Sequence, residues 1–249
     1  FTFAIGDDTP LSAVAELDTM VTLVDAVNFL DDLRIGKDLK SIDQAATEED
    51  PRTVADLLTE QVEFANVIVL NKTDLVDEDT LATLEAYLEQ LNPFALKLRA
   101  RFGQIDSSKI MGTGRFDFEV AKQSKGWQLT LREDGASEVE EYGVSSFVYR
   151  SRRPFHPQRF FDRLNQDWNG VLRSKGFFWL GSKIDKIGIW SQAGRVARLD
   201  FGGFWWAAVP KEHWPESEVF QAELEKKWNS EVGDCRQELV FIGIGMDEL

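Results

Sequence analysis

The chain has 249 residues, with 28 Lys and Arg against 43 Asp and Glu, for a formal charge of −15. That balance disfavours broad nucleic-acid binding, which needs local positive potential, and a mean hydropathy of −0.28 with no long uncharged apolar run gives no candidate for a membrane-spanning helix. The single cysteine, Cys235, excludes a disulfide or a cysteine-based metal cluster within this chain and makes a reducing, cytoplasmic setting the expectation.

The spacing over 11–17 is helix-like. Met20-Val21-Thr22-Leu23-Val24 is a near-continuous apolar and β-branched run that stops at Asp25, the pattern of a parallel strand covered on both faces. Charged, helix-favouring sequence follows, and Pro51 marks a helix start near Glu49-Asp50. Val54, Leu57, Leu58, Gln61, Val62 and Ala65 fall at helical spacing. Val67-Ile68-Val69-Leu70 is a second buried-strand run, 79–91 a helix stopped by Asn92-Pro93, and 95–99 a third strand. Alternating strands and helices with short connections predict an α/β sheet.

From about residue 104 to 141 the chain is Gly-punctuated, polar and then acidic, and it reads as a connecting region with one short hairpin at 127–131. Seven of the eight tryptophans lie between Trp168 and Trp228, marking a second core. The pattern gives strands at 145–150, 171–180, 186–191, 196–200, 204–209 and 238–243, with helices at 157–168 and 217–228. Antiparallel strands with two helices predict a smaller α+β domain. The expected divisions are 1–103, 104–141 and 142–249.

Asn71-Lys72-Thr73-Asp74 directly follows the second strand run. One reading is a surface turn in which Asp74 caps the next helix. The other is a guanine-reading loop. Asp74 would accept from the ring N1–H and the exocyclic amino group of guanine, Lys72 would lay its aliphatic stem along the base, and Asn71 would tie the loop to neighbouring backbone. Ligands of open α/β sheets bind beyond the carboxyl ends of the strands, where this loop falls.

The run from Gln61 through Asn71-Lys72-Thr73-Asp74 to Leu75 resembles the guanine-specificity segment of the CobW-type metallochaperone GTPases. Leu17-Asp18-Thr19-Met20-Val21-Thr22-Leu23-Val24-Asp25-Ala26-Val27-Asn28-Phe29 and Leu91-Asn92-Pro93-Phe94-Ala95 are similar to neighbouring segments of that family. Arg152-Arg153-Pro154-Phe155-His156-Pro157, Arg173-Ser174-Lys175-Gly176-Phe177-Phe178-Trp179-Leu180 and the segment 233–243 resemble its C-terminal domain. The resemblance implies part of a P-loop GTPase parallel sheet followed by the α+β domain. It also implies GTP, Mg2+ and Zn2+ as cofactors or cargo, and delivery of a divalent metal to a client protein. The base would be bound by Asn71, Lys72, Thr73 and Asp74.

The family's G-x-x-x-x-G-K-[ST] phosphate loop, Cys-x-Cys-Cys metal motif and Glu-containing Mg2+ and switch segment are not in this sequence. Phe1-Thr2-Phe3 matches a point just past them, so the expectation is an N-terminally truncated chain that does not hydrolyse GTP by itself. Such a sheet is expected to self-associate through an open edge. The alternative is a non-catalytic interaction protein acting through its aromatic C-terminal domain.

The stretch from Gly176 to Lys183 reads G-F-F-W-L-G-S-K, with bulky residues where amides would wrap phosphate, and is taken as a strand and turn. Asp25 reads as a helix N-cap or loop carboxylate, or as an approach to the nucleotide or Mg2+ site. His156 reads as structural or as a metal ligand, His213 as a loop residue, and Cys235 as a small residue before a strand. The basic cluster Arg150, Arg152, Arg153, Arg159, Arg163, Arg173 and Lys175 reads as a solvated or interdomain face, or as a contact for an anionic partner. The alternating pairs Phe177/Trp179 and Phe204/Trp206 read as core.

Overall fold

A computed structural model describes residues 4–5, 9–10, 15–35, 52–117 and 142–246. It divides into two compact units, Phe1–Phe29 with Glu60–Gly126, and Leu30–Thr59 with Trp127–Leu249. The predicted hairpin at 127–131, the helix start at 49–50 and most of the helix-like stretch at 11–17 lie outside the described residues; 15–17 are not helical.

In the first unit, β1 (Ala4–Ile5) and β2 (Thr9–Pro10) form a minimal antiparallel pair. The predicted apolar runs become β3 (Val21–Asp25), β4 (Val67–Asn71) and β5 (Leu96–Arg99), a parallel sheet in the order β3-β4-β5. Helices α1 (Phe29–Ile35) and α2 (Val54–Glu63) stand in the chain between β3 and β4, and α3 (Glu78–Leu91) between β4 and β5. Val67 to Leu70 are all buried, as a central parallel strand requires. Leu81, Leu84, Tyr87, Leu88 and Leu91 give α3 one buried stripe at helical spacing.

Asn92 ends α3 and joins three pieces of chain. Its amide nitrogen donates to the carbonyls of Val62 (2.8 Å) and Ala65 (2.9 Å), and its side-chain oxygen accepts from the backbone N–H groups of Phe94 and Ala95. The residue is 5% exposed, so no water replaces these bonds if the side chain is lost.

The second unit contains β6 (Val144–Ser151), α4 (Pro157–Leu164), β7 (Val171–Leu180), β8 (Lys183–Ala193), β9 (Val196–Phe204), α5 (Glu218–Lys227) and β10 (Gln237–Ile244). The strands form one antiparallel sheet in the order β6-β10-β7-β8-β9. One core holds Phe178, Trp190, Leu239 and Phe241, and another holds Trp179, Trp205 and Cys235. Neighbours 178 and 179 enter different cores because strand side chains alternate between faces.

The predicted elements needed two corrections. The helix from 157 stops at Leu164, where Asn165 caps it, rather than at 168. The strand at 204–209 is instead the end of β9 followed by a 3-10 turn, Trp206–Ala208. The Asp234 carboxylate fixes that turn by accepting from the N–H groups of both Trp206 and Ala207, successive donors that alternate between the two edges of an extended strand.

The 176–183 stretch is the end of β7 and a turn into β8. Gly176 adopts φ +149, and a Cβ there would meet the Glu238 carbonyl oxygen at 2.0 Å. Its glycine serves close strand packing, not a phosphate cradle.

Three outcomes are expected. Asn92→Ala should lower unfolding free energy by about 2–4 kcal/mol in urea titrations, because several backbone groups lose their partners together. β3 is an edge strand among the described residues, with Val21 43% and Leu23 62% exposed, so Leu23→Lys should reduce concentration-dependent light scattering. Burial, with the Asp234 charge second, pushes the Cys235 thiol up to about 11. It should therefore stay unmodified by a disulfide reagent at pH 8 until the protein unfolds, whereas rapid native-state labelling would contradict its placement.

Candidate functional site

The loop at the carboxyl end of β4 is stitched to the chain on both sides. The Asn71 carbonyl accepts from the Ala26 N–H (3.0 Å), just past β3, and the Ala100 N–H, just past β5, donates to the Leu70 carbonyl (2.7 Å). Asn71 Oδ1 then accepts from the Gly103 N–H at 2.9 Å. Thr73 donates to the Ala100 carbonyl through its hydroxyl (3.1 Å) and its N–H (3.3 Å).

Lys72 breaks the strand with φ +62, a left-handed conformation uncommon for a residue with a side chain. The Leu75 N–H closes the turn on the Lys72 carbonyl at 3.0 Å. The Lys72 ammonium reaches Asp25 Oδ2 at 2.7 Å, and Asp25 lies opposite Asn71 in the β3–β4 register. The same carboxylate accepts from the Val27 N–H and the Asn28 amide, both at 2.9 Å. Partial burial alone would raise the Asp25 pKa, but the Lys72 hydrogen bond, with Val27 and Asn28, outweighs it and holds the carboxyl below its ordinary value.

Asn71, Lys72 and Thr73 therefore hold the loop, and Asp74 is left exposed. The helix that follows is capped by Asp77, whose carboxylate accepts from the Thr80 N–H at 2.7 Å. The capping job that a turn reading gives to Asp74 is taken by Asp77. A polar cleft of about 350 Å3 lies beside the loop, lined by Thr73, Glu78, Arg99, Arg101 and Gln104. Arg99 is held there by Glu85 and Glu78, each at 2.7 Å. Asp74 is not part of that lining, so the cleft flanks the loop and does not contain its free carboxylate.

The sequence patterns missed two contributions to this site. Asp25 is the last residue of β3 rather than a loop residue, and its tie to Lys72 joins residues 47 apart in the chain. The segment 100–103, with Phe102 at φ +54 and 86% exposed, closes the other side. Only the strand end before it hinted that a loop would return here.

The remaining candidates serve the fold. His156 caps α4, its Nδ1 accepting from the Arg159 N–H at 3.5 Å. His213 lies in a short 3-10 turn. Arg150 pairs with Glu238, Arg152 donates to the carbonyls of Lys227, Gly233 and Cys235, and buried Arg173 donates to the Gln192 carbonyl. Phe177 and Trp179 pack in the core as predicted, whereas Phe204 is exposed under the Lys186 ammonium.

Asp25→Ala should cost about 1–2 kcal/mol of stability and raise the mobility of Lys72 measured by NMR relaxation. Because the folded pKa of Asp25 is depressed, its contribution is complete above the unfolded value and is lost as pH falls through the lower folded value. The Lys72 contact should therefore persist at neutral pH and release only in acid, below about pH 4.

Two family models match the chain. The CobW/HypB/UreG nucleotide-binding domain covers residues 1–98, and the cobalamin synthesis protein cobW C-terminal domain covers 144–249. A zinc-regulated GTPase metalloprotein activator of Dictyostelium discoideum is 42% identical over 98% of this chain and 52% of its own length. A zinc chaperone of Mycobacterium tuberculosis is 27% identical over 96% of this chain and 56% of its own length. The chain thus spans about half the length of the curated relatives it matches. The Zn(II)-bound YjiA GTPase from E. coli aligns over 96% of this chain and 60% of that chain at 20% identity, with a TM-score of 0.32, too low for residue correspondences. With both domain models in order along it and close identity over nearly all its residues, the chain belongs to the CobW family.

Proposed function

We propose that this chain supplies the base-reading and C-terminal parts of a GTP-binding metallochaperone that delivers zinc to a client protein. One observation carries the reading: Asp77 caps α3, leaving the Asp74 carboxylate exposed on a loop that its three neighbours hold rigidly. A fixed carboxylate with two oxygens matches the paired donors of guanine. Adenine offers no ring N–H and places a donor where guanine places an acceptor, so a site committed to this pair discriminates strongly.

The named activities of the Dictyostelium and Mycobacterium relatives support zinc as the cargo and GTP as the nucleotide. Residues 1–103 are proposed as the nucleotide-binding part, 104–141 as the connection and 142–249 as the C-terminal domain, in keeping with the matched spans. A cytoplasmic setting is proposed from the use of a single, buried cysteine in these 249 residues.

The metal chemistry lies apart from the residues described. Among them no group of three His, Cys, Asp or Glu side chains could hold a metal ion, so they do not fit a zinc site and no step is assigned to one. Mg2+ would support phosphate chemistry in such a protein. Asp25 is already committed to Lys72, Val27 and Asn28, so it is not assigned to Mg2+.

In the whole metallochaperone proposed here, with its phosphate loop, Asp74→Asn should weaken binding of guanosine diphosphate by at least about a hundredfold and improve binding of xanthosine diphosphate, measured by fluorescence titration. Equal affinities before and after the substitution would remove the guanine-reading role.

A further inference from the structure

The basic residues of the C-terminal unit do not form one patch. Arg150, Arg152 and Arg173 are occupied by the fold, whereas Arg153, Arg159 and Arg163 border an open groove of about 1110 Å3 on the five-stranded sheet. Its floor is aromatic: Phe147 stacks on Phe241 with ring centroids 4.9 Å apart, and Trp168 stacks on Phe241 at 5.8 Å.

Neither the Arg153 nor the Arg159 guanidinium has a carboxylate partner among the described residues, and both residues are exposed. Arg163 lies 3.9 Å over the Trp168 ring and donates to the Asp167 backbone carbonyl. His156 is the fourth basic side chain of the lining. Asp167 is its one acid; that side chain is 79% exposed and pairs with Arg195. In a chain of formal charge −15, the groove is a local reversal of sign. The Trp168 ring lines it too, while its indole N–H is buried and has no acceptor among the described residues.

We propose that this groove is a docking site for an acidic peptide segment of a partner protein. A bulky apolar side chain of that segment sits on the Phe147–Phe241 floor, and its carboxylates face Arg153 and Arg159. The volume exceeds the usual ~300–1,000 Å3 of small-molecule sites, and an apolar centre with a charged rim is the anatomy of a protein interface. Arginine forks match carboxylates in pairs. A polynucleotide fits less well, because it would extend its phosphates beyond three arginines onto an acidic molecule. The proposal is independent of guanine reading, since every residue it uses belongs to the C-terminal unit.

The test uses a short fluorescein-labelled peptide of Glu and Asp flanking a central Phe-Leu pair, followed by anisotropy. Saturable binding is expected, weakened at least about tenfold by the double substitution R153E/R159E and also by replacing Phe-Leu with Ser-Ser. Near-UV circular dichroism should show the variant folded; if it does not, Arg159→Gln on the exposed face of α4 should still weaken binding about threefold. No saturable binding, undiminished binding by the charge-reversed protein, or equal binding of the Ser-Ser peptide would overturn the proposal. So would tighter, arginine-dependent binding of a single-stranded oligonucleotide or of anionic vesicles, or a dimer that dissociates in R153E/R159E, since each assigns the groove to a different occupant.

Discussion

A central parallel strand has neighbours on both sides, and its last residue must leave the sheet where those neighbours also end. In this protein β4 meets that constraint between β3 and β5. The backbone groups at its end are matched by Ala26 on one side and Ala100 on the other. Asn71, Lys72 and Thr73 extend the same logic with their side chains, reaching Gly103, Asp25 and Ala100. The loop is held from both sides, by Lys72 to the end of β3 and by Asn71 and Thr73 to the segment 100–103. Asp74 is thereby presented at a fixed place without being used to hold it.

The parallel strands and α3 could be read from the sequence because burial imposes its own spacing, although β1 and β2 were not expected and β3 is exposed on one face rather than covered on both. Val67 to Leu70 had to be apolar throughout, and the stripe of α3 had to repeat with the helix. The loop 71–74 also stood out, as a short pattern placed after a strand. Local pattern could not show which acid caps α3, since Asp74 and Asp77 both precede it, nor that Asp25 would meet Lys72. Such facts depend on register between strands. The misread strand at 204–209 has the same origin: Trp206 and Ala207 carry strand-like neighbours, but Asp234, far along the chain, supplies the acceptor that bends them into a turn.

The second unit is organised by ring contacts rather than by aliphatic packing. Tyr149, Phe155, Phe160, Trp190, Trp168, Phe241 and Phe147 touch in succession, with centroid distances between 4.9 and 6.0 Å. Such pairs contribute about 0.5–1.5 kcal/mol each beyond area burial. Large rings leave irregular margins, and α4 is too short to cover them all. A buried polar bridge fixes the neighbouring register: Gln237 donates to the carbonyls of Arg153 and Trp179 and accepts from the Trp179 N–H. The basic residues scatter for a simpler reason. They sit on different elements: Arg150 on β6, Arg152 and Arg153 in the connection after it, Arg159 and Arg163 on α4, and Arg173 and Lys175 on β7.

The placement of Cys235 has a practical corollary. The sole sulfhydryl of these 249 residues is enclosed between Trp179 and Trp205, so this chain is a low-background host for spectroscopic tags. A spin label or dye attached through a newly introduced surface cysteine would report from one known address, without first engineering the native thiol away.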